Sequence, residues 1–278
     1  MNNKGFTGKT IIITGASAGV GAATARTFAQ LGMNLVLVAR GQQALDKISD
    51  ELSPLTSVLT VAIDVSDVKA TENLVEKAYA RFGSIDYLVN NAGYHQRGNV
   101  DSNKANALAQ MVDVNLRAPI QLSGLVIPYL QKAGGGAIIN VGSLAGRSPL
   151  QGAATYAATK AGLRAFTYSL ADELAGQNIH VGVVSPGPID TGFIMSDIDQ
   201  VEDIVFSQPM SSAQQVTDAI VAIALGRATE ISLPRASGWL TTVAYLFPTL
   251  RRLLRPLLYK KGRKVKDKIK QQQSRTAV

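Results

Sequence analysis

The chain has no cysteine and only two histidines, His95 and His180. The first absence excludes disulfides and thiolate metal sites, and no metal site is expected. The second argues against a histidine-built metal centre and against a Ser-His-Asp triad. The opening MNNKGFTGKT lacks the apolar core of a secretory leader. A long hydrophobic run is missing too. The uncharged stretch 236–250 has fifteen residues, against the ~20 that a bilayer crossing needs. Pro248 and Pro256 are expected to interrupt any helix there. No repeat at a period of 20–50 residues is visible.

What the chain does contain is material for a core. Of its 278 residues 46% are hydrophobic and 17% charged, a balance that predicts a folded protein. Short β-branched runs at 10–14, 34–39, 57–63, 85–90, 136–142 and 179–184 read as strands, and segments at helical spacing fall between them, at 19–31, 42–52, 67–82, 104–131 and 154–176. A further helix is expected near 213–226 and a short strand near 229–233. Continuous hydrophobicity in the strands implies cover on both faces. The pattern therefore predicts an α/β fold: one Rossmann-like, doubly wound parallel sheet with helices on both sides. The predicted organisation is a catalytic domain over 1–234 and an apolar, basic extension over 235–278. The extension carries twelve Lys/Arg and one acid, Asp267, whereas the first 234 residues are slightly acidic. Charge-driven partners thus belong to the tail.

Between the first strand and the first helix lies TGASAGVG, Thr14 to Gly21. Glycines there let the backbone approach a diphosphate, and the helix start offers free N–H groups. The second strand ends in Ala39-Arg40 rather than in an acid. A carboxylate at that point would bind a ribose 2′-hydroxyl, whereas a guanidinium suits a 2′-phosphate, so NADP(H) is favoured over NAD(H). Ala18 lies where many NADP-preferring proteins carry a second basic residue. Asp64 follows the third strand, placed to accept from an adenine amino group, and NNAG (90–93) follows the fourth.

Tyr156 and Lys160, in YAATK, sit one helical turn apart with small residues between them, so both project from one face. With TGASAGVG, Asp64, NNAG, Asn115, Ser143 and PGPIDT (186–191), in order and at the usual spacing, the sequence resembles the short-chain dehydrogenase/reductase family over roughly 7–234. The resemblance implies a Ser143, Tyr156, Lys160 and Asn115 catalytic set. Tyr156 would exchange the proton with the carbonyl oxygen, and Lys160 would lower the phenol's pKa and hold the nicotinamide ribose. Ser143 would polarise the substrate carbonyl, and Asn115 would anchor a water leading to solvent. The implied cofactor contacts are Thr14, Gly15, Ser17, Gly19, Val20, Gly21, Arg40, Asp64, Val65, Asn91, Ala92, Gly93, Tyr156, Lys160, Pro186, Gly187, Ile189 and Thr191. His95 and His180 are read as structural, with His95 near the cleft.

The segment 192–212 is expected to cover the substrate, and its apolar residues, Phe193 to Phe206, suggest a hydrophobic ketone or alcohol. The helices near 104–131 and 154–176 are expected to pair across a two-fold axis in a homodimer or larger assembly. Aromatic and leucine residues beside a basic cluster make the tail a candidate for an anionic membrane surface, in a protein otherwise expected in the cytoplasm; nucleic acid has no use for the apolar half. The predicted activity is hydride transfer between NADP(H) and a ketone or secondary alcohol. The alternatives are a dehydratase or epimerase on the same fold, or a non-catalytic NADP-binding scaffold.

Overall fold

A computed structural model describes residues 5–196 and 198–276; the first four residues of the N-terminal stretch and Asp197 of the substrate-covering segment lie outside them. Seven strands form one sheet: β1 (Thr10–Thr14), β2 (Asn34–Ala39), β3 (Val58–Ala62), β4 (Tyr87–Asn90), β5 (Gly136–Val141), β6 (Ile179–Pro186) and β7 (Glu230–Leu233). Their order is β3-β2-β1-β4-β5-β6-β7, and every pairing is parallel. The helices are α1 (Gly19–Gln30), α2 (Gln42–Leu52), α3 (Val68–Phe82), α4 (Ala105–Val112), α5 (Ala118–Lys132), α6 (Ala154–Glu173), the short α7 (Gly192–Met195), α8 (Ala213–Ala224), α9 (Arg235–Leu246) and α10 (Pro248–Thr276).

Strand periodicity explains why the runs are apolar throughout. Ile11, Ile13, Leu35 and Leu37 join one core cluster with Phe28, Leu45 and Ile220, while Ile12, Val36 and Val38 join the other with Leu74, Leu122 and Leu170. Alternate residues face opposite helical layers, so every position must be hydrophobic. The chain reverses its winding between β1 and β4. There the loops at the carboxyl ends part and leave a crevice, the usual ligand position in such sheets.

Two elements depart from the sequence reading. The long helix expected over 104–131 contains a π turn at Asp113–Arg117, which places Asn115 on the inner side of the bulge, fully buried. The tail does not break at Pro256. Pro248 starts α10, where its missing N–H is no loss, and the helix then runs through Pro256. The carbonyl deprived of its partner there is that of Arg252, an exposed residue that water can serve. Among the described residues no helix is long and apolar enough to cross a membrane.

The tail packs on the domain. Arg147 donates to the Gly238 carbonyl (3.2 Å) and to Thr242 (2.9 Å), tying α9 to the loop after β5. Arg147 and Arg164 both pair with Glu230 on β7, which also accepts from Ser185 and Tyr168. On α10, Val265 and Ile269 cover a small cluster of Ile194, Ile198, Val201 and Phe206. Arg263 pairs with Asp203 at 2.9 Å. The buried Lys266 donates to the Val201 carbonyl at 2.7 Å and pairs with Asp203 at 3.4 Å.

Gly262 tests this packing by the sign of an effect. An added Cβ would stand 1.8 Å from the Asp203 carbonyl oxygen, a backbone atom that cannot swing away. On a solvated helix Gly262→Ala would stabilise by about 1 kcal/mol. Packed as observed, it should instead destabilise in urea titration and expose the segment 198–207 to protease.

The Glu230 cluster makes a second prediction. Burial alone would raise this carboxyl, but hydrogen bonds from Arg164, Arg147, Ser185 and Tyr168 prevail and bring it to about 2. An unfolded glutamate titrates near ~4.3, so the stabilisation is complete above about pH 5 and fades as the pH falls toward about 2. Glu230→Gln should lower stability at neutral pH by about 3–5 kcal/mol, since two guanidinium groups lose their buried partner. Urea titrations of both proteins should show that gap narrowing as acid is added.

Candidate active site

The loop after β1 turns tightly into α1. Gly15 has a φ of 66°, and a Cβ on Gly21 would lie 2.1 Å from the Gly15 carbonyl oxygen. No side chain caps α1: its N-cap is Ala18, and its first turn holds no acid. Ser17 is half-buried and Ala18 and Gly19 are exposed. The uncapped N–H groups and the partial positive charge of the helix start therefore face outward. A diphosphate fits this cradle, with Gly15, Ser17, Gly19 and the Val20 and Gly21 backbone around it. Val20 itself is buried in the core.

Thr14 and Asn91 hold the crevice open from beneath. The Thr14 hydroxyl accepts from the Asn91 and Ala92 amides, both at 3.0 Å, and donates to the Val89 carbonyl. The Asn91 side chain donates to the Thr14 and Gly15 carbonyls. These side chains are bonded to each other's backbone and so shape the turn. Toward the adenosine end, Arg40 is exposed at the tip of β2. Asp64 accepts from the Ser66 amide (2.9 Å) and hydroxyl (2.7 Å) through one oxygen. Burial would raise its pKa, but those bonds and the Arg40 charge lower it. Val65 is buried in the core and offers a ligand only its backbone.

The chemical end converges on α6. Lys160 is buried, and its ammonium donates to the Val141 carbonyl at 2.8 Å. Burial draws it down to about 8. Tyr156, one turn earlier, has its ring centroid 5.9 Å from the Lys160 Nζ. Burial raises the phenol, while a hydrogen bond with Ser143 and the charge of Arg97 oppose that rise. The expected downward pull of Lys160 does not prevail. Desolvation acts on both groups, and it is Ser143 and Arg97 that favour the phenolate. Ser143 also accepts from the Ala145 amide at 3.1 Å.

The Asn115 side-chain amide is bound to the loop after β4, accepting from the Tyr94 N–H at 3.0 Å and donating to the Tyr94 carbonyl at 2.8 Å. Beside it, Gly93 leaves room for both the Asn115 carbonyl and the Lys160 ammonium. Asn115 therefore positions this loop against the lysine. From the other side, Gly187 donates to the Leu233 carbonyl after the turn at Pro186, Ile189 bridges to Ser211, and Thr191 comes up opposite Gly19.

Arg97 escapes the sequence reading, and so does the contact made by His95, a residue placed there near the cleft. His95 stacks on the Tyr156 ring at 4.4 Å between centroids. Its Nε2 is buried with no hydrogen-bond partner among the described residues, and burial holds the ring neutral down to about 4. Arg97 approaches the other ring nitrogen at 3.2 Å and donates to the Phe193 carbonyl at 2.8 Å. Their place just after NNAG was the only available signal. His180 is exposed on β6, as a structural residue can be. The apolar side chains of 192–212 are largely used in packing. Ile194, Ile198, Val201 and Phe206 are buried among themselves and against α10, while Phe193 stays exposed.

Residues 9–202 match the family model described as short chain dehydrogenase. An uncharacterised oxidoreductase of Staphylococcus saprophyticus is 38% identical over 208 residues, covering 73% of this chain and 83% of the relative. The 3-oxoacyl-[acyl-carrier-protein] reductase of Escherichia coli K12 is 36% identical over 232 residues, covering 82% and 94%. Among solved structures, L-sorbose reductase from Gluconobacter frateurii, complexed with NADPH and L-sorbose, superimposes with a TM-score of 0.73 at 29% identity, over 83% of this chain and 96% of its own. A metagenomic short-chain oxidoreductase in complex with NADP gives 0.70 at 29% identity, over 82% and 97%. With its glycine turn, parallel sheet and Ser143, Tyr156 and Lys160 gathered at one crevice, the chain belongs to the short-chain dehydrogenase/reductase family, and it is an oxidoreductase.

Proposed function

We propose that the protein transfers hydride between NADP(H) and a ketone or secondary alcohol. The observation that carries this reading is the buried Lys160 set one helical turn from Tyr156, its ammonium 5.9 Å from the centre of the phenol ring, at the crevice that Ser143 and the glycine turn border. The bound nicotinamide cofactor supplies or accepts the hydride. In the reducing direction the Tyr156 phenol gives its proton to the substrate oxygen as the carbonyl becomes an alcohol, and Ser143 donates to that same oxygen. The phenolate left behind is stabilised by the Ser143 hydroxyl and the Arg97 charge, and it regains its proton from solvent. Lys160, near 8, is still largely protonated at neutral pH. Asn115 and His95 position the loop and the phenol.

The NADP(H) preference rests on Arg40, exposed where an NAD enzyme carries an acid. The NADPH and NADP seen in the two structural relatives are in keeping with it. Exposed Val112, Ile120 and Tyr168 on α4, α5 and α6 support a homodimer through those helices. The exposed Phe193 near Arg97 supports a substrate with an apolar part. Peripheral attachment to an anionic membrane remains part of the proposal, carried by the 235–278 extension.

Tyr156→Phe removes only the hydroxyl. Turnover should drop about 10²–10⁴-fold, while NADPH titration and thermal unfolding stay as in the parent. Retained turnover would place the proton donor elsewhere. Arg40→Ala should weaken NADPH by about 1.5–3 kcal/mol and leave NADH unchanged, measured by fluorescence titration of both cofactors. Equal losses for the two would remove the basis for NADP(H).

A further inference from the structure

More than half of the exposed large apolar side chains among the described residues fall between Trp239 and Leu258. Trp239 is 78% exposed, Leu253 74%, Leu240 67%, and Tyr245 and Leu257 65% each. They gather on α9, on the elbow at Phe247, and on the first half of α10. A patch of this kind on a folded chain marks a surface that something else covers. The same helix carries Arg252, Lys260, Lys261, Lys264 and Lys268, all exposed. Arg263, Lys266 and Lys270 are already paired with Asp203 and Asp199 of the domain.

The charge decides between occupants. A second copy seated on this patch would bring two strongly cationic helices together, which is unfavourable. A bilayer with anionic headgroups answers both halves of the surface, since it takes up apolar side chains and attracts Lys and Arg.

The location connects the patch to the reaction. α9 is fixed by Arg147 to the loop that follows Ser143. α10 backs the segment 198–207, whose inner side faces a hollow shared by Gln200, Glu202 and Val205 with His95 and Arg97. The two helices that meet at the elbow thus reach, at their far parts, the loop after Ser143 and the segment that covers the crevice.

We propose that the α9–α10 elbow docks on an anionic lipid surface and that the enzyme takes its carbonyl substrate from the lipid phase. The substrate half of this statement rests on the reductase reading given above; the docking half does not.

The test uses the full chain and vesicles of phosphatidylcholine, with and without phosphatidylglycerol. Flotation should carry the protein up with the anionic vesicles, less so in high salt, and weakly or not at all with the neutral ones. Leu253→Glu/Leu257→Glu changes two exposed residues remote from the crevice, so unfolding and NADPH binding should match the parent. Its vesicle affinity should fall about a hundredfold, the weight of two leucines that no longer leave water. NADPH oxidation by a small water-soluble ketone should be the same in both proteins. Oxidation by a long-chain ketone dissolved in anionic vesicles should be lost in the variant.

Failure of the parent to float overturns docking, as does a patch that proves to be buried in self-association, seen as a particle mass that the variant lowers. A parent that floats and reduces the soluble ketone, but turns over the vesicle-borne ketone no better than the variant does, overturns delivery from lipid. Flotation without NADPH oxidation by either ketone overturns delivery together with the reductase reading, while docking stands.

Discussion

Everything at the site hangs on the bonds that pin the carboxyl ends of β1 and β4 together. Thr14 and Asn91 exchange side-chain and backbone hydrogen bonds at the point where the sheet reverses its winding. A crevice opens there because the chains on either side run to opposite layers. The same divergence would leave the strand-end amides unpartnered, and unpaired buried amides are costly. The Thr14 hydroxyl and the Asn91 amide meet that need internally. The glycine turn and the loop carrying Gly93 are thereby held at fixed separation, and the phosphate end and the chemical end of the crevice keep one geometry.

From that fixed loop, order passes inward through Tyr94 to Asn115 and across Gly93 to Lys160. Burial then works on both titrating groups in opposite senses, pushing the phenol up and the ammonium down. The two proton affinities, close together in water, are thereby driven apart, so the phenol is the group that keeps its proton as the pH rises. His95 completes the enclosure. As a neutral ring stacked on the phenol, it excludes water from one face without adding charge.

The tail follows a different logic. Its second half is ordinary tertiary structure, with apolar residues closing a small cluster and cations meeting the acids of the segment they cover. Its first half leaves aromatic and leucine side chains in water. One continuous helix therefore joins the covering segment of the site to a surface that the domain does not use.

The sequence by itself determined the strand set, the parallel sheet, the glycine turn and the one-turn spacing of Tyr156 and Lys160, because each rests on local periodicity or on a spacing within one turn of chain, whereas Ser143 entered through the resemblance to the family. It also marked the tail as apolar and basic. What only the tertiary structure decided were matters of long-range approach. The backbone of Asp203 lies so close to α10 that position 262 has no room for a side chain. Apolar residues that looked available to a substrate are buried against that helix. Asn115, in a π turn, binds backbone. His95 lies on Tyr156, sixty-one residues away in sequence. No pattern along the chain encodes such contacts, since they depend on where the sheet and its covering helices bring distant segments together.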